Sequence, residues 1–211
     1  MGLRIAILWG IERMSALARK GMGARGTAGE DGSGSSRIEL ARTTIDPRTI
    51  ENPTLAAVHA YWLAKRGDRT MPARADINPV ELREHLGWIL MIEVLDDFAD
   101  FRYRLIGTKV TRYFLTNSTG RTVSEAYGPF GDAAVNGVKA VYRKAARDKI
   151  VVRAEGEANW ITDWKEETRD FPHFDSLYLP LSDDGETCNI LMAVFTFDYA
   201  DVVAKSENVL D

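Results

Sequence analysis

The side chains that most often carry protein chemistry are few in this chain and are not grouped. Three histidines, His59, His85 and His173, fall on two predicted helices and a loop, with no ligand spacing among them and no carboxylate cluster beside them. Because a zinc site needs several such ligands at short spacings, the sequence predicts no metal site. It also contains no GxSxG, P-loop or GxGxxG pattern, the usual signatures of nucleophilic and nucleotide-dependent catalysis. We therefore predict that the chain is not an enzyme and has no catalytic residues.

Cys188 is the only cysteine, and it begins the last predicted strand after a turn. It cannot form an internal disulfide, and a chain with one cysteine suits a reducing cytoplasm, where we expect the protein to reside. Its position favours a small, semi-exposed strand residue over a reactive thiol.

The charge of the chain argues against nucleic acid as a partner. There are 27 basic and 31 acidic residues, which gives a net charge of −4, whereas phosphate binding needs an excess of clustered Lys and Arg. Arg102 and Arg104 form a locally basic strand, but alternation places them opposite Tyr103, as expected for a solvated or partner-binding face. No apolar run approaches the roughly 18 residues of a spanning helix, so we predict no membrane contact.

Composition divides the chain into three parts. Residues 1–45 are predicted to be a flexible segment or translated sequence upstream of the true start, because residues 21–36 are a Gly- and Ser-rich linker with almost nothing to bury. A small amphipathic helix in the first 20 residues is the alternative. Residues 46–200 form the predicted domain, and residues 201–211 form a short tail, too short for an attached output domain.

Periodicity within the domain predicts an α+β fold. Asn52 and Pro53 begin a helix that ends at Gly67, and Asn78, with Glu81 as its capping-box partner, begins a short second helix that ends at Gly87. The remaining elements are two strands at 88–94 and 101–106, helical turns at 108–115, a long helix at 131–148, and strands at 150–154, 174–181 and 189–199. These strands predict a five-stranded antiparallel sheet, with the middle helices on its inner face and the first helix on the other face.

Several stretches of the sequence resemble the PAS domain, specifically the single-domain bacterial PAS-like family 5. They read MPARADINPVELREHLGWILMIEVLDD, FRYRLIGTKVTRYF, TGRTVSEAY and SLYLPLSDDGETCNILMAVF, and the resemblance covers roughly residues 52 to 199. It implies a PAS-like fold and a sensory or signalling role. Haem-binding members usually carry a histidine on or near the long helix, and flavin photoreceptors carry a cysteine on a short helix before it; this chain has neither, so no cofactor is identified.

We predict that a small molecule binds in a cavity between the inner sheet face and the middle helices, and that the signal passes to a separate protein. The lining is expected to be mostly apolar with tyrosine hydroxyls as its polar contacts. The predicted ligand-binding residues are Tyr103, Leu105, Tyr113, Phe114, Val138, Tyr142, Leu191, Ala193 and Phe195. The alternative is a ligand-free adaptor in which these side chains fill the space and the protein acts only through protein–protein interaction.

A homodimer or partner contact is predicted on the outer sheet face and the first helix. The reason is that this helix exposes Tyr61 or Trp62 whichever way it is rotated, and large exposed aromatic residues often mark interfaces.

Overall fold

A computed structural model describes residues 49–111, 117–157 and 173–197. In these residues five antiparallel strands form one sheet in the order β2-β1-β5-β4-β3, which confirms the predicted α+β class. The strands are β1 Ile89–Leu95, β2 Asp100–Ile106, β3 Val152–Glu157, β4 His173–Leu181 and β5 Ile190–Phe197. The α-helices are α1 Pro53–Arg66, α2 Thr108–Thr111, α3 Val123–Tyr127 and α4 Asp132–Asp148.

Helix α1 begins and ends as the sequence predicts. The Asn52 Oδ1 atom accepts hydrogen bonds from the backbone N–H groups of Thr54 at 3.0 Å and Leu55 at 3.2 Å, and proline occupies the first helical position. The helix ends at Gly67, whose φ of 56° is a left-handed conformation that glycine adopts without steric cost.

Helix α1 packs on the outer face of the sheet through Leu55, Val58 and Trp62. The prediction that it exposes a large aromatic side chain is wrong. Trp62 is buried and donates from Nε1 to the carbonyl oxygen of Pro180 at 3.0 Å, and Tyr61 is half-buried with its hydroxyl accepting from the Asn78 N–H at 2.8 Å. Trp62 lies on the same helix face as Leu55 and Val58, and its large ring reaches the core from there.

The predicted second helix is not an α-helix. Residues 79–85 form turns with hydrogen bonds three residues apart, such as His85 N–H to the Leu82 carbonyl at 2.8 Å, and a 3₁₀-helix follows at Leu86–Trp88. Glu81 does not complete a capping box; its carboxylate pairs with the Lys65 ammonium of α1 at 2.8 Å. The segment is too short to form a stable α-helix, so it forms turns and a short 3₁₀-helix instead.

Strands β1 and β2 form the predicted hairpin, but with an irregular register. Ile92 pairs with Tyr103, whereas the preceding residue, Met91, pairs with Leu105, so Arg104 is an extra residue on β2. A bulge of this kind turns the following side chains to the opposite face of the sheet. Leu105 therefore lies on the outer face with Met91, while Tyr103 lies on the inner face with Ile92.

The inner face of the sheet is covered by α3 and α4. Helix α4 contributes Ala134, Val141, Tyr142 and Ala145 to the inner core, as its predicted apolar stripe requires. Helix α3 begins with a capping box in which Thr122 Oγ1 accepts from the Glu125 N–H at 3.1 Å, while Glu125 accepts from the Thr122 N–H at 2.8 Å. Within the described residues, no helix is both long and apolar enough to cross a membrane.

Candidate functional site

Four buried tyrosine rings meet between the inner sheet face and helices α3 and α4. Tyr103 comes from β2, Tyr127 from α3, Tyr142 from α4 and Tyr178 from β4, and we call them the tyrosine cluster. The hydroxyl oxygens of Tyr103 and Tyr142 lie 3.0 Å apart, and Tyr103 also donates to the Tyr127 hydroxyl at 3.5 Å. The rings of Tyr142 and Tyr178 contact each other with centroids 5.4 Å apart. The cluster thus places several hydroxyl groups together inside an apolar core.

Burial fixes the protonation state of this cluster. Burial raises the pKa of Tyr103 well above its usual value, and the neighbouring Tyr127 and Tyr142 raise it further. Burial also raises the pKa of Tyr142 well above 10, with Tyr178 and Tyr127 adding to the effect. At neutral pH these phenols are therefore uncharged and act as hydrogen-bond donors and acceptors, not as general bases.

A nearly buried ion pair ties together the elements that carry the cluster. The Lys139 ammonium of α4 donates to the Ser124 hydroxyl of α3 at 2.7 Å and lies 3.2 Å from Asp100 Oδ1 at the start of β2. Burial of Asp100 opposes its ionisation, but hydrogen bonds from Ser124, Phe101 and Lys139 keep its pKa below the usual value. The pair therefore remains charged and holds α3, α4 and β2 in a fixed arrangement around the tyrosines.

The structure brings six of the nine predicted site residues into the inner core. Five are buried and Val138 is half-buried against the same cluster; the six are Tyr103, Val138, Tyr142, Leu191, Ala193 and Phe195. Leu105 does not join them: its predicted place beside Tyr103 is wrong, because the bulge at Arg104 puts it on the outer face with 43% of its surface exposed. Tyr113 and Phe114 lie outside the described residues.

Sequence reasoning missed two members of the tyrosine cluster. Tyr127 lies on α3, a helix that is absent from the predicted elements, although the Thr122-x-x-Glu125 pattern before it is the signature of a helix start. Tyr178 shares the inner face with Phe174 and Ser176 because these residues alternate along β4. Period-two alternation in the predicted strand 174–181 could have assigned Tyr178 to the site.

A concave surface lies on the outer face, at the end of the sheet where β1 begins and β2 ends. We call it the outer groove; it has a volume of about 310 Å³ and is mainly apolar. Its lining comes from the 74–87 segment, β1, β2, the start of α2 and β5, and comprises Arg74, Ile77, Pro79, Leu82, Leu86, Gly87, Ile89, Met91, Leu105, Ile106, Gly107, Thr108 and Met192.

Cys188 is fully buried in the inner core, so the prediction of a semi-exposed position is wrong. Its thiol donates to the Ile190 carbonyl at 3.3 Å, and burial raises its pKa to about 12. A thiol in this state is a poor nucleophile at neutral pH. Across residues 49–111, 117–157 and 173–197, no three His, Cys, Asp or Glu side chains come together as a metal site would require.

The comparison with family models settles the classification of the chain. A model described as a PAS domain matches residues 50–195, which is more than half of the sequence and includes β1 to β4 and most of β5. The chain belongs to the PAS domain family. No curated protein and no solved structure matches it. PAS domains are generally sensory and signalling modules, and the chain therefore belongs to that broad class.

Proposed function

We propose that this PAS protein is a sensor that binds an uncharged small molecule at the tyrosine cluster and passes the signal to a separate protein. The observation that carries the proposal is the set of hydroxyls of Tyr103, Tyr127 and Tyr142, which lie together in a core that is otherwise apolar. A phenol hydroxyl can both donate and accept, so hydroxyls that meet in one place can bond to a ligand atom as well as to one another. Phenylalanine would fill the same space without burying a polar group, so the hydroxyls favour recognition of a polar atom on a ligand.

The charge of the ligand follows from the surroundings of the cluster. Lys139 and Asp100 neutralise each other 3.2 Å apart, and the phenols are held in their uncharged form. A charged ligand would lose its hydration without gaining a free counter-charge. We therefore propose an uncharged molecule with an apolar body and one or two oxygen or nitrogen atoms that hydrogen-bond to tyrosine.

We propose that the protein performs no catalysis. Burial raises the pKa values of the Cys188 thiol and of Tyr103 and Tyr142, so these three groups are not ionised as nucleophiles or bases at neutral pH. The output is then a change in contacts with another protein.

The tyrosine hydroxyls provide a direct test. Replacing Tyr142 by Phe removes one hydroxyl and leaves the ring, so the affinity for the bound molecule is expected to fall by about 0.5–1.5 kcal/mol, or up to about tenfold. Tyr61→Phe is the matched control, because Tyr61 is half-buried on α1 and its hydroxyl contacts the 76–78 segment and Glu81, away from the tyrosine cluster. Both variants would be purified from the native host, and the bound fraction compared by native mass spectrometry. Equal bound fractions in wild type, Tyr142→Phe and Tyr61→Phe would contradict the proposal.

A second candidate, the ligand-free adaptor, is supported by the contacts between aromatic rings in the same region. Phe101 contacts Tyr142 with centroids 5.3 Å apart, and Tyr178 contacts Phe195 at 5.8 Å. Rings that pack directly on one another fill space themselves. Under this alternative Tyr142→Phe changes stability by a similar amount, no molecule is recovered, and partner binding is unchanged.

A further inference from the structure

The outer groove presents an unusual concentration of exposed apolar side chains. Among the described residues the large hydrophobic side chains that are exposed are Val80, Leu86 and Leu105. Leu86 and Leu105 line the groove, and Val80 adjoins its lining residue Pro79. Scattered exposed hydrophobic residues are ordinary, but a group of them around one concave surface indicates a binding site.

The rim of the groove is positively charged. Arg74 lines the groove, and Lys109 lies beside it, with its side chain against Gly87 and its ammonium 5.0 Å from the centre of the Trp88 ring. In the part of the chain that the structure describes, neither residue forms an ion pair; Arg74 donates only to the Ile77 carbonyl at 3.4 Å. The groove therefore suits a segment that combines apolar side chains with carboxylates.

Strand β5 lines the groove at Met192 and continues past the start of β1. Val194 of β5 pairs with Ile89 of β1, which lines the groove, and β5 also contacts the 3₁₀-helix Leu86–Trp88. Phe197 is three residues further along the strand, a distance of about 10 Å. The described part of β5 therefore ends about 10 Å beyond the level of Ile89 in the groove.

We propose that residues 198–211 of this chain dock in the outer groove. Their sequence, DYADVVAKSENVLD, contains four valine or leucine residues and four acidic residues against one lysine, which complements the apolar lining and the cationic rim. Val202 and Val203 follow Phe197 by five and six residues, and a chain of that length spans about 7–20 Å depending on its conformation. The tail is thus long enough to reach the groove.

Hydrogen exchange of the full-length protein, read by mass spectrometry, tests this docking. We expect amides of residues 202–210 to exchange at least about tenfold more slowly than in a free peptide of the same sequence. Leu105→Glu places a carboxylate in the groove and is expected to abolish this protection. Asn136→Glu is the control: it adds the same charge at an exposed residue of α4, on the other face of the sheet, and should leave the protection intact.

A variant in the tail tests the same docking without placing a charge in the lining of the groove. Val203→Asp should abolish the tail's protection and also speed exchange of amides at 86–89 and 105–108, because the groove becomes uncovered. A wild-type tail that exchanges like the free peptide would overturn the proposal, and so would protection that survives both Leu105→Glu and Val203→Asp. Protection that disappears on dilution together with a dimer seen by light scattering would also overturn it, since the occupant would then be a second copy.

Discussion

At the scale of single residues, the interior contains polar groups of two kinds. The tyrosine hydroxyls are hydrogen-bonded to one another, with Tyr103 and Tyr142 3.0 Å apart. His59 of α1 differs: it is buried, and neither ring nitrogen has a hydrogen-bond partner among the residues that the structure describes. A buried imidazole without partners is tolerated far better neutral than charged. The sequence could predict that His59 is packed, from its place near the buried face of its helix, but not that it lacks partners, because these depend on side chains from distant strands.

The unpartnered histidine predicts how stability depends on pH. Burial, and next the positive charge of Arg66, lower the pKa of His59 below its usual value of 6.5. In the unfolded chain the imidazole titrates near 6.5, so its full contribution to stability is present above that pH. The contribution is lost as the pH falls from 6.5 towards the folded pKa, with a slope of up to about 1.4 kcal/mol per pH unit. Urea unfolding at several pH values between about 7.5 and 5.5 measures it.

His59→Leu should flatten this part of the stability curve, because the replaced side chain cannot take up a proton. His173→Gln is the control: His173 is exposed at the start of β4, so its replacement should leave the slope unchanged. Parallel curves for wild type and His59→Leu would show that His59 does not account for the loss of stability.

At the scale of elements, the strand pattern predicted β2 but not its register. Phe101, Tyr103 and Leu105 alternate in sequence, yet the extra residue Arg104 turns Leu105 to the other face. The residue type at position 104 does not indicate a bulge. Arg104 is solvent-exposed, and its guanidinium lies 3.5 Å from the Glu93 carboxylate, as that of a regular strand residue could. Bulges depend on the pairing of two strands, and a single strand's sequence does not reveal them. For the same reason the outer groove could not be predicted.

The turn at Gly107 gives a prediction at this scale. A Cβ atom on Gly107 would lie 2.3 Å from the Gly87 carbonyl oxygen and 2.5 Å from that of Leu86, so β2 and the segment before β1 can approach only with glycine there. Gly107→Ala must shift backbone and should lower the free energy of unfolding by about 1–3 kcal/mol.

Gly87→Ala is the matched comparison. The nearest obstacle to its Cβ is the flexible Lys109 side chain, at 2.9 Å, which can move away. It should therefore cost clearly less than Gly107→Ala in the same chemical denaturation experiment. An equal cost would mean that the two backbone segments are not in tight contact.

At the scale of the whole molecule, the described domain begins just before α1. Ile50 is buried in the outer core, and the Thr49 carbonyl accepts from Arg153 of β3 at 3.3 Å. The sequence placed the start of the domain near residue 46 from composition alone, because the Gly- and Ser-rich residues 21–36 cannot bury apolar surface. It could not predict the contact to β3, which joins residues about one hundred positions apart.

Two shortened chains test that boundary. A chain that begins at Thr44 should keep the thermal midpoint of the full chain, and limited proteolysis should remove the residues before it. A chain that begins at Glu51 loses Ile50, whose burial contributes about 1.5–3 kcal/mol, and should unfold at a lower temperature. A large loss of stability on removing only residues 1–43 would contradict the prediction.

Native mass spectrometry of the full chain purified from its own host tests the sensor proposal most directly. We predict a complex heavier than the polypeptide by the mass of one small, uncharged molecule, which dissociates when the protein is denatured and is recovered in the organic extract. The recovered molecule should rebind to the emptied protein more weakly after Tyr142→Phe. A single species with the mass of the polypeptide alone, across preparations from cells in different growth conditions, would contradict the sensor proposal and leave the ligand-free adaptor.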